Sequence, residues 1–468
     1  MRLADWAAWI ESRCHVLYAV LAVPAIVWLA LWMPPFQNPD EFEHFSRADQ
    51  ISHGGLIGSR MGMDASGGWV DAALPQATRQ YESMPYRFDQ KLTAGQIDAT
   101  RRIPWSGELR FATLRSTANY GPAAYTPPVV GIWIARAAGL GIIDSLYSAR
   151  LVNGLFACLL SFGALRVCAR GRALMFTVLM WPMTLSLFAS SSHDALLVAT
   201  AILGIAILSR VTAERRPASR TELLVVVLAM AVGVMGRPPH VAFFLLLPLA
   251  VAFQWRAMGL KALAVHAAIV LTGAAMCVGW YVAVWAYSLV PSLNVHDGAS
   301  TSGQLAFLMA HPASVVPLAF RSAAFGWKSV VTTTIGVLGW LDTPLPEAYY
   351  KAACVVALLA VATETRDEVP DGWRGALWAG ATLASFVVLV YAAVYITLTE
   401  VGATKIIEVQ GRYFLAAVPL VAWLVPPVGA RQPAGRLRRS VAWAATIVFP
   451  LVAYAVVPWA IFARYYAP

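Results

Sequence analysis

The 468-residue chain is 59% hydrophobic and only 13% charged, with a mean hydropathy of +0.62. Apolar runs recur along almost its whole length, which excludes a soluble enzyme and a disordered chain and points to an all-α polytopic membrane protein. The net charge of +10 does not indicate nucleic acid, because the basic residues gather between the runs, at Arg166/Arg170/Arg172, Arg210/Arg215/Arg216/Arg220 and Arg431/Arg436/Arg438/Arg439, where they set membrane orientation.

The first apolar run, residues 16 to 33, is followed by no small-residue cleavage site and reads as a retained span with a cytoplasmic N-terminus. The chain then enters a polar region, 34–122, placed outside and expected to carry surface helices, one of them over residues 40 to 50. Three apolar stretches follow before the next outer turn, at 121–139, 145–167 and 173–191. Two outer regions on one side allow only an even number of crossings between them, so 121–139, which opens on prolines, is expected to be a re-entrant or tilted half-helix. Further spans are expected at 194–210, 221–236, 238–255, from about Lys261 to Tyr287, and at 348–363, 374–397, 411–427 and 441–463. The loop Thr365-Arg366-Asp367-Glu368 reads as cytoplasmic. A second outer region, 288–347, holds an interfacial helix over 303–325. The whole, 1–468, reads as a single transmembrane domain with eleven full spans and one partial, and 11 to 13 helices in all.

Several ionisable groups fall at outer ends of spans. Asp40 and Glu41 sit in Asn38-Pro39-Asp40-Glu41-Phe42-Glu43-His44 just after the first span. On a helix these neighbours diverge by about 100° and serve different partners, one as base and one as ligand. His44 lies one turn on. Ser192-His193-Asp194 adds a second acidic position, readable as a helix cap or as a group facing the same cavity. In Glu408-Val409-Gln410-Gly411-Arg412-Tyr413, an outer arginine beginning a span can hold a phosphate, or simply pair with Glu408. Lys405, Lys328, Arg321 and Arg237 are further outer cations, Arg237 also readable as part of a breaker turn; Asp342, in Gly339-Trp340-Leu341-Asp342, is a further carboxylate. No Walker loop, dinucleotide fingerprint, nucleophile elbow or zinc spacing occurs, so an activated substrate is expected to arrive through the membrane.

These motifs, in this order and spanning nearly the whole chain, resemble the GT-C superfamily of polytopic glycosyltransferases. They resemble more closely a bacterial family of predicted membrane proteins, a domain of unknown function, related to it. In that pattern a proline follows the arginine-tyrosine motif closely; here it is represented only by Pro419, with Ala416 and Ala417 nearer. The resemblance implies a GT-C-like fold and an inverting transfer of a sugar from a polyprenyl-phosphate donor to a glycan or lipid acceptor of the cell envelope, on the periplasmic face of a bacterial inner membrane. It implies Asp40 as base with Glu41 beside it, and Arg412 with Lys405 on the leaving phosphate. His44, His193, Asp194, Asp342, Glu408, Gln410 and Tyr413 would bind substrate, and Asp40 with Asp194 are candidates for a divalent Mg or Mn ion. A transporter or flippase of an anionic or lipid-linked substrate, and a non-catalytic scaffold, are the competing classes. The long first loop, which has no counterpart of similar length, favours the enzyme.

Overall fold

A computed structural model describes residues 3–62, 65–114, 117–252, 255–290, 298–361, 372–406, 408–425 and 433–466. The loop Thr365-Arg366-Asp367-Glu368 and Arg431 lie outside the described residues, as does the side chain of Arg436.

An α-helix rises about 1.5 Å per residue, so about 20 residues are needed to cross a hydrocarbon core of about 30 Å. Among the described residues six helices meet that length with sufficient hydropathy: Trp6–Trp32, Ile142–Val167, Asp194–Ala213, Leu260–Tyr287, Trp373–Thr397 and Leu437–Tyr465. The difference from the expected eleven lies in segments that are shorter or broken. Residues 172 to 188 break at Met180–Trp181 into Arg172–Leu179 and Pro182–Phe188, with Pro182 starting the second piece. Pro238–Ala250 winds as a 3-10 helix, and residues 411 to 423 hold two short ones, Gly411–Phe414 and Val418–Trp423.

These broken segments still join the two ends of the bundle. At one end Ser191 N–H donates to Glu41 and Arg237 pairs with Asp194. At the other, Arg172 meets Glu11, Ala218 N–H donates to the Ala250 carbonyl, and Arg170 donates to the Trp423 carbonyl at 2.7 Å. A 3-10 helix rises about 2 Å per residue, so thirteen residues of it cover roughly 26 Å. Helix Asp194–Ala213 is central, with 83% of its span window buried, while Leu260–Tyr287 is peripheral at 17%.

Thr126–Ala137 has 12 residues, or about 18 Å, too short to cross. It lies against Ile142–Val167, where a Cβ on Gly131 would come within 2.5 Å of Ala149 Cα, so only glycine permits this approach. Its Arg136 reaches back to Asp49 in the first loop at 2.5 Å. Helix and first loop therefore share one end.

The first loop holds more than the surface helices expected of it. Besides helices Glu41–Ser52 and Ala94–Arg101, it contains an antiparallel sheet in the order β1 (Ser59–Met61), β2 (Ala65–Asp71), β3 (Leu109–Thr113). Asp71 locks this sheet: its carboxylate accepts from the backbone of Ala73, Ser106 and Gly107, and its own N–H donates to Asp49 at 2.8 Å. Farther along, Thr301–Ala310 and Pro312–Ile335 meet at a bend of 99°, where Pro312 interrupts the helix.

Candidate functional site

The site is built on a turn that the first span makes as it ends. The last carbonyls of a helix have no partner within it. Here Arg150, fully buried on helix Ile142–Val167, supplies them: Nη1 donates to the carbonyls of Ala30 at 3.1 Å and Met33 at 2.6 Å, and Nη2 to Pro34 at 2.8 Å. The same guanidinium grips Glu41 as a two-pronged pair, at 2.8 and 2.5 Å. Glu41 also accepts from Ser191 N–H at 3.0 Å and from Asn38, and Asn153 holds the serine turn through the carbonyls of Ser190 at 2.7 Å and Ser192 at 2.9 Å. Two stretches distant in sequence, 38–41 and 190–194, are thereby fastened side by side.

Asp40 points the other way. Its backbone is left-handed, φ +56°, and its side chain makes no cap bond to helix Glu41–Ser52. The carboxylate instead accepts from Arg412 Nη2 at 2.7 Å. Arg412 is brought there by Gly411, whose N–H donates to Thr333 Oγ1 at 2.7 Å and where any Cβ would meet the Val330 carbonyl at 2.0 Å. Gln410 orients the guanidinium by accepting from Nε at 2.6 Å.

Asp194, at the start of helix Asp194–Ala213, completes the group. Arg237 Nη2 lies 2.8 Å from one of its oxygens and 3.0 Å from the other, while Arg412 Nη1 stands back at 3.7 Å. The Arg237 guanidinium rests 4.3 Å over the Tyr413 ring, a cation–π contact that fixes its plane. Two carboxylates and two guanidiniums thus alternate as Asp40, Arg412, Asp194, Arg237. Arg412 is buried, and its Nη1 has no hydrogen-bond partner among the described residues. The Asp40 side chain is 47% exposed, which opens the cluster on that side.

An aromatic wall backs it. The His193 ring stacks on Tyr120 at 4.5 Å and Tyr125 at 5.6 Å and meets His44 at 4.8 Å. His44 Nδ1 shares a 2.7 Å hydrogen bond with the Tyr125 hydroxyl. Burial pushes the His44 imidazole down to about 4 despite Asp194 and Asp40 nearby, and burial lowers His193 further still. Both rings are neutral at pH 7. Burial works to raise the Asp40 carboxyl, but Arg412 and His44 prevail and hold it below the usual range, so it is ionised. The Arg412 guanidinium is raised by Asp40 against its own burial.

Of the residues singled out in the sequence, the fold brings together Asp40, His44, His193, Asp194, Gln410, Arg412 and Tyr413. Glu408 lies two residues before Gln410, and its charge is felt at Tyr86 together with those of Asp40 and Arg412. Three others go elsewhere. Glu41 is committed to Arg150 in the interior and has no face toward the opening, which corrects its reading as a second catalytic carboxylate. Asp342 is buried against Arg464 at 2.8 Å and receives Tyr86 N–H at 3.0 Å, so it ties the last helix to the first loop. Lys405 is exposed, with its ammonium 3.9 Å over the Phe325 ring, and its partner is that ring.

Arg237, expected either as an outer cation or as part of a breaker turn, joins the cluster through Asp194; Arg150 and Asn153 were not among the residues singled out in the sequence. Each is a polar group inside or at the edge of an apolar run, which is the signal that marks such residues. A divalent ion on Asp40 and Asp194 does not fit this arrangement: both carboxylates are paired with guanidiniums, and no group of three or more His, Cys, Asp or Glu among the described residues is arranged to hold a metal.

A family model described as "Predicted membrane protein (DUF2142)" matches residues 18–421. No curated protein and no solved structure matches the chain.

Proposed function

We propose, for a chain that belongs to the DUF2142 family of predicted membrane proteins, that the Asp40–Arg412–Asp194–Arg237 cluster is the active site of a GT-C-type glycosyltransferase. It takes a sugar from a polyprenyl phosphate in the outer leaflet and passes it to a hydroxyl of a cell-envelope glycan or lipid. The observation that carries this reading is the meeting of Asp40 and Arg412, 372 residues apart, at 2.7 Å beside the point where the chain leaves its first span.

The chemistry needs few parts. The acceptor hydroxyl oxygen attacks the anomeric carbon from the face opposite the phosphate, its proton passing to the Asp40 carboxylate as the new C–O bond forms. The bond from the anomeric carbon to the phosphate oxygen breaks, and its electron pair leaves with the lipid phosphate. Arg412 neutralises the charge that grows there, in a setting where a fixed guanidinium acts more strongly than in water. Asp194, held by Arg237, sets the position of Arg412. Attack from the opposite face inverts the anomeric centre, and no protein nucleophile is required. Support for a lipid-borne donor comes from six helices able to cross a membrane around a site with no nucleotide-binding motif.

The test is the envelope glycan of a strain lacking the chain, complemented with wild type or Asp40→Asn. Restoration by wild type and not by an equally abundant, folded variant is expected. An unchanged glycan with Asp40→Asn rejects the reading, and loss of substrate movement with intact transfer favours a transporter.

A further inference from the structure

Arg412 is the most heavily used cation of the cluster and yet is incompletely satisfied. Nε is taken by Gln410 and Nη2 by Asp40, but Nη1 is buried with no hydrogen-bond partner among the described residues, its nearest carboxylate being Asp194 at 3.7 Å. A buried guanidinium donor left in this state is costly, and it points to a ligand that fills it. Asp194 itself is drawn off by Arg237 at 2.8 and 3.0 Å, so it does not close the gap.

The partner on the other prong is unusually easy to move. The Asp40 carboxylate is 47% exposed, whereas the guanidinium it covers is 2% exposed. Asp40 also holds a left-handed backbone, φ +56°, a conformation that aspartate, like asparagine, adopts more readily than most residues but less freely than glycine. With His44 and His193 neutral, the two carboxylates and two guanidiniums sum to zero charge. An incoming phosphate therefore has no net field to draw it unless a carboxylate gives way.

We propose that Asp40 is a place-holder, occupying on Arg412 the position that a phosphate ester takes, so that phosphate binding and release of the Asp40 carboxylate are one event, with Arg237 keeping Asp194 out of the competition. This rests on the reading above in taking Arg412 as the phosphate anchor. It adds that the base is masked until donor arrives. Once parted from Arg412, Asp40 also loses the neighbour that holds its proton affinity down, and becomes a better base when its substrate is in place.

The test is equilibrium binding of farnesyl phosphate and of inorganic phosphate to the full chain in nanodiscs. The proteins are wild type, Asp40→Asn, Asp40→Gly, Arg412→Gln and, as a control for simple removal of charge from the same helix, Glu43→Gln. Asparagine and glycine both accept a left-handed backbone, so the fold is retained. Expected is a rise in affinity of about tenfold or more for both Asp40 variants, the size of one charge-assisted hydrogen bond, loss of binding in Arg412→Gln, and a change within about twofold for Glu43→Gln. A gain confined to farnesyl phosphate identifies a lipid as the source, and an equal gain for both probes a free phosphate; either supports the place-holder. Unchanged or weaker binding in the Asp40 variants, or an equal rise in Glu43→Gln, overturns it. Binding is read without sugar transfer, so a failed transferase assay alongside tighter binding would remove the enzymatic reading alone.

Discussion

Asp40 and Glu41 are chain neighbours with opposite surroundings: the first is half-exposed on Arg412, the second fully buried on Arg150. Their side chains diverge because Asp40 precedes helix Glu41–Ser52 with a left-handed backbone while Glu41 begins the helix, and the divergence divides labour between an opening and the scaffold behind it. Breaking a buried pair from one side leaves an uncompensated charge, which costs about 3–5 kcal/mol. Glu41→Gln and Arg150→Met are therefore expected to lower the thermal unfolding temperature in detergent sharply. Asp40→Asn, whose amide oxygen still accepts from Arg412 and whose side opens to solvent, should cost clearly less than either. Equal losses from Glu41→Gln and Asp40→Asn would deny this division.

The neutral histidines make stability depend on pH in a defined sense. Burial takes His44 from 6.5 down to about 4, and His193 is lowered too. Between those values the unfolded chain binds protons that the folded chain does not, so stability falls as pH drops from about 6.5 toward 4. His44 alone contributes roughly 3 kcal/mol at most over that window. The Asp40 carboxyl, held low, adds stability above its ordinary value that is lost only at still lower pH. Unfolding followed from pH 7 to pH 4 should show this decline, shallower in His44→Gln; an identical slope in the variant would contradict the assignment.

The helical class and the polar end of the bundle were legible because apolar periodicity and charge placement are strong signals. The prolines that open 121–139 likewise marked the stretch that holds only the short helix Thr126–Ala137. The sheet in the first loop was not legible: β1 is three residues long, and β2 reads Ala-Ser-Gly-Gly-Trp-Val-Asp, with glycine and serine where an alternating apolar pattern is sought. Nor did spacing reveal which of two adjacent carboxylates faces the opening. That was decided by Arg150, an arginine hidden within an apolar run more than a hundred residues away. Pro182 broke the segment 173–191, which hydropathy alone reads as continuous.

Asp342 separates structural from functional acidity. It holds Arg464, Tyr86 N–H and, at 3.4 Å, the Tyr465 hydroxyl, a buried network that pins the last helix to the first loop. Asp342→Asn is expected to destabilise the chain by about 3 kcal/mol or more while leaving phosphate affinity per folded molecule unchanged. A selective loss of affinity in a stable variant would return Asp342 to the binding site.

Because arginines take up both carboxylates, the proposed transfer should survive chelation. Membranes treated with EDTA are expected to retain activity, and added Mg or Mn should not rescue Asp194→Asn. Loss on chelation with recovery on adding metal would show that the ion pairs open to admit a cation.

The most direct test of the central claim is a cryo-EM map of the chain bound to farnesyl phosphate. The account predicts phosphate density within hydrogen-bonding distance of the Arg412 guanidinium, with the Asp40 carboxylate displaced from it and Arg237 still on Asp194. Lipid phosphate bound elsewhere, with Asp40 and Arg412 still paired, would contradict it.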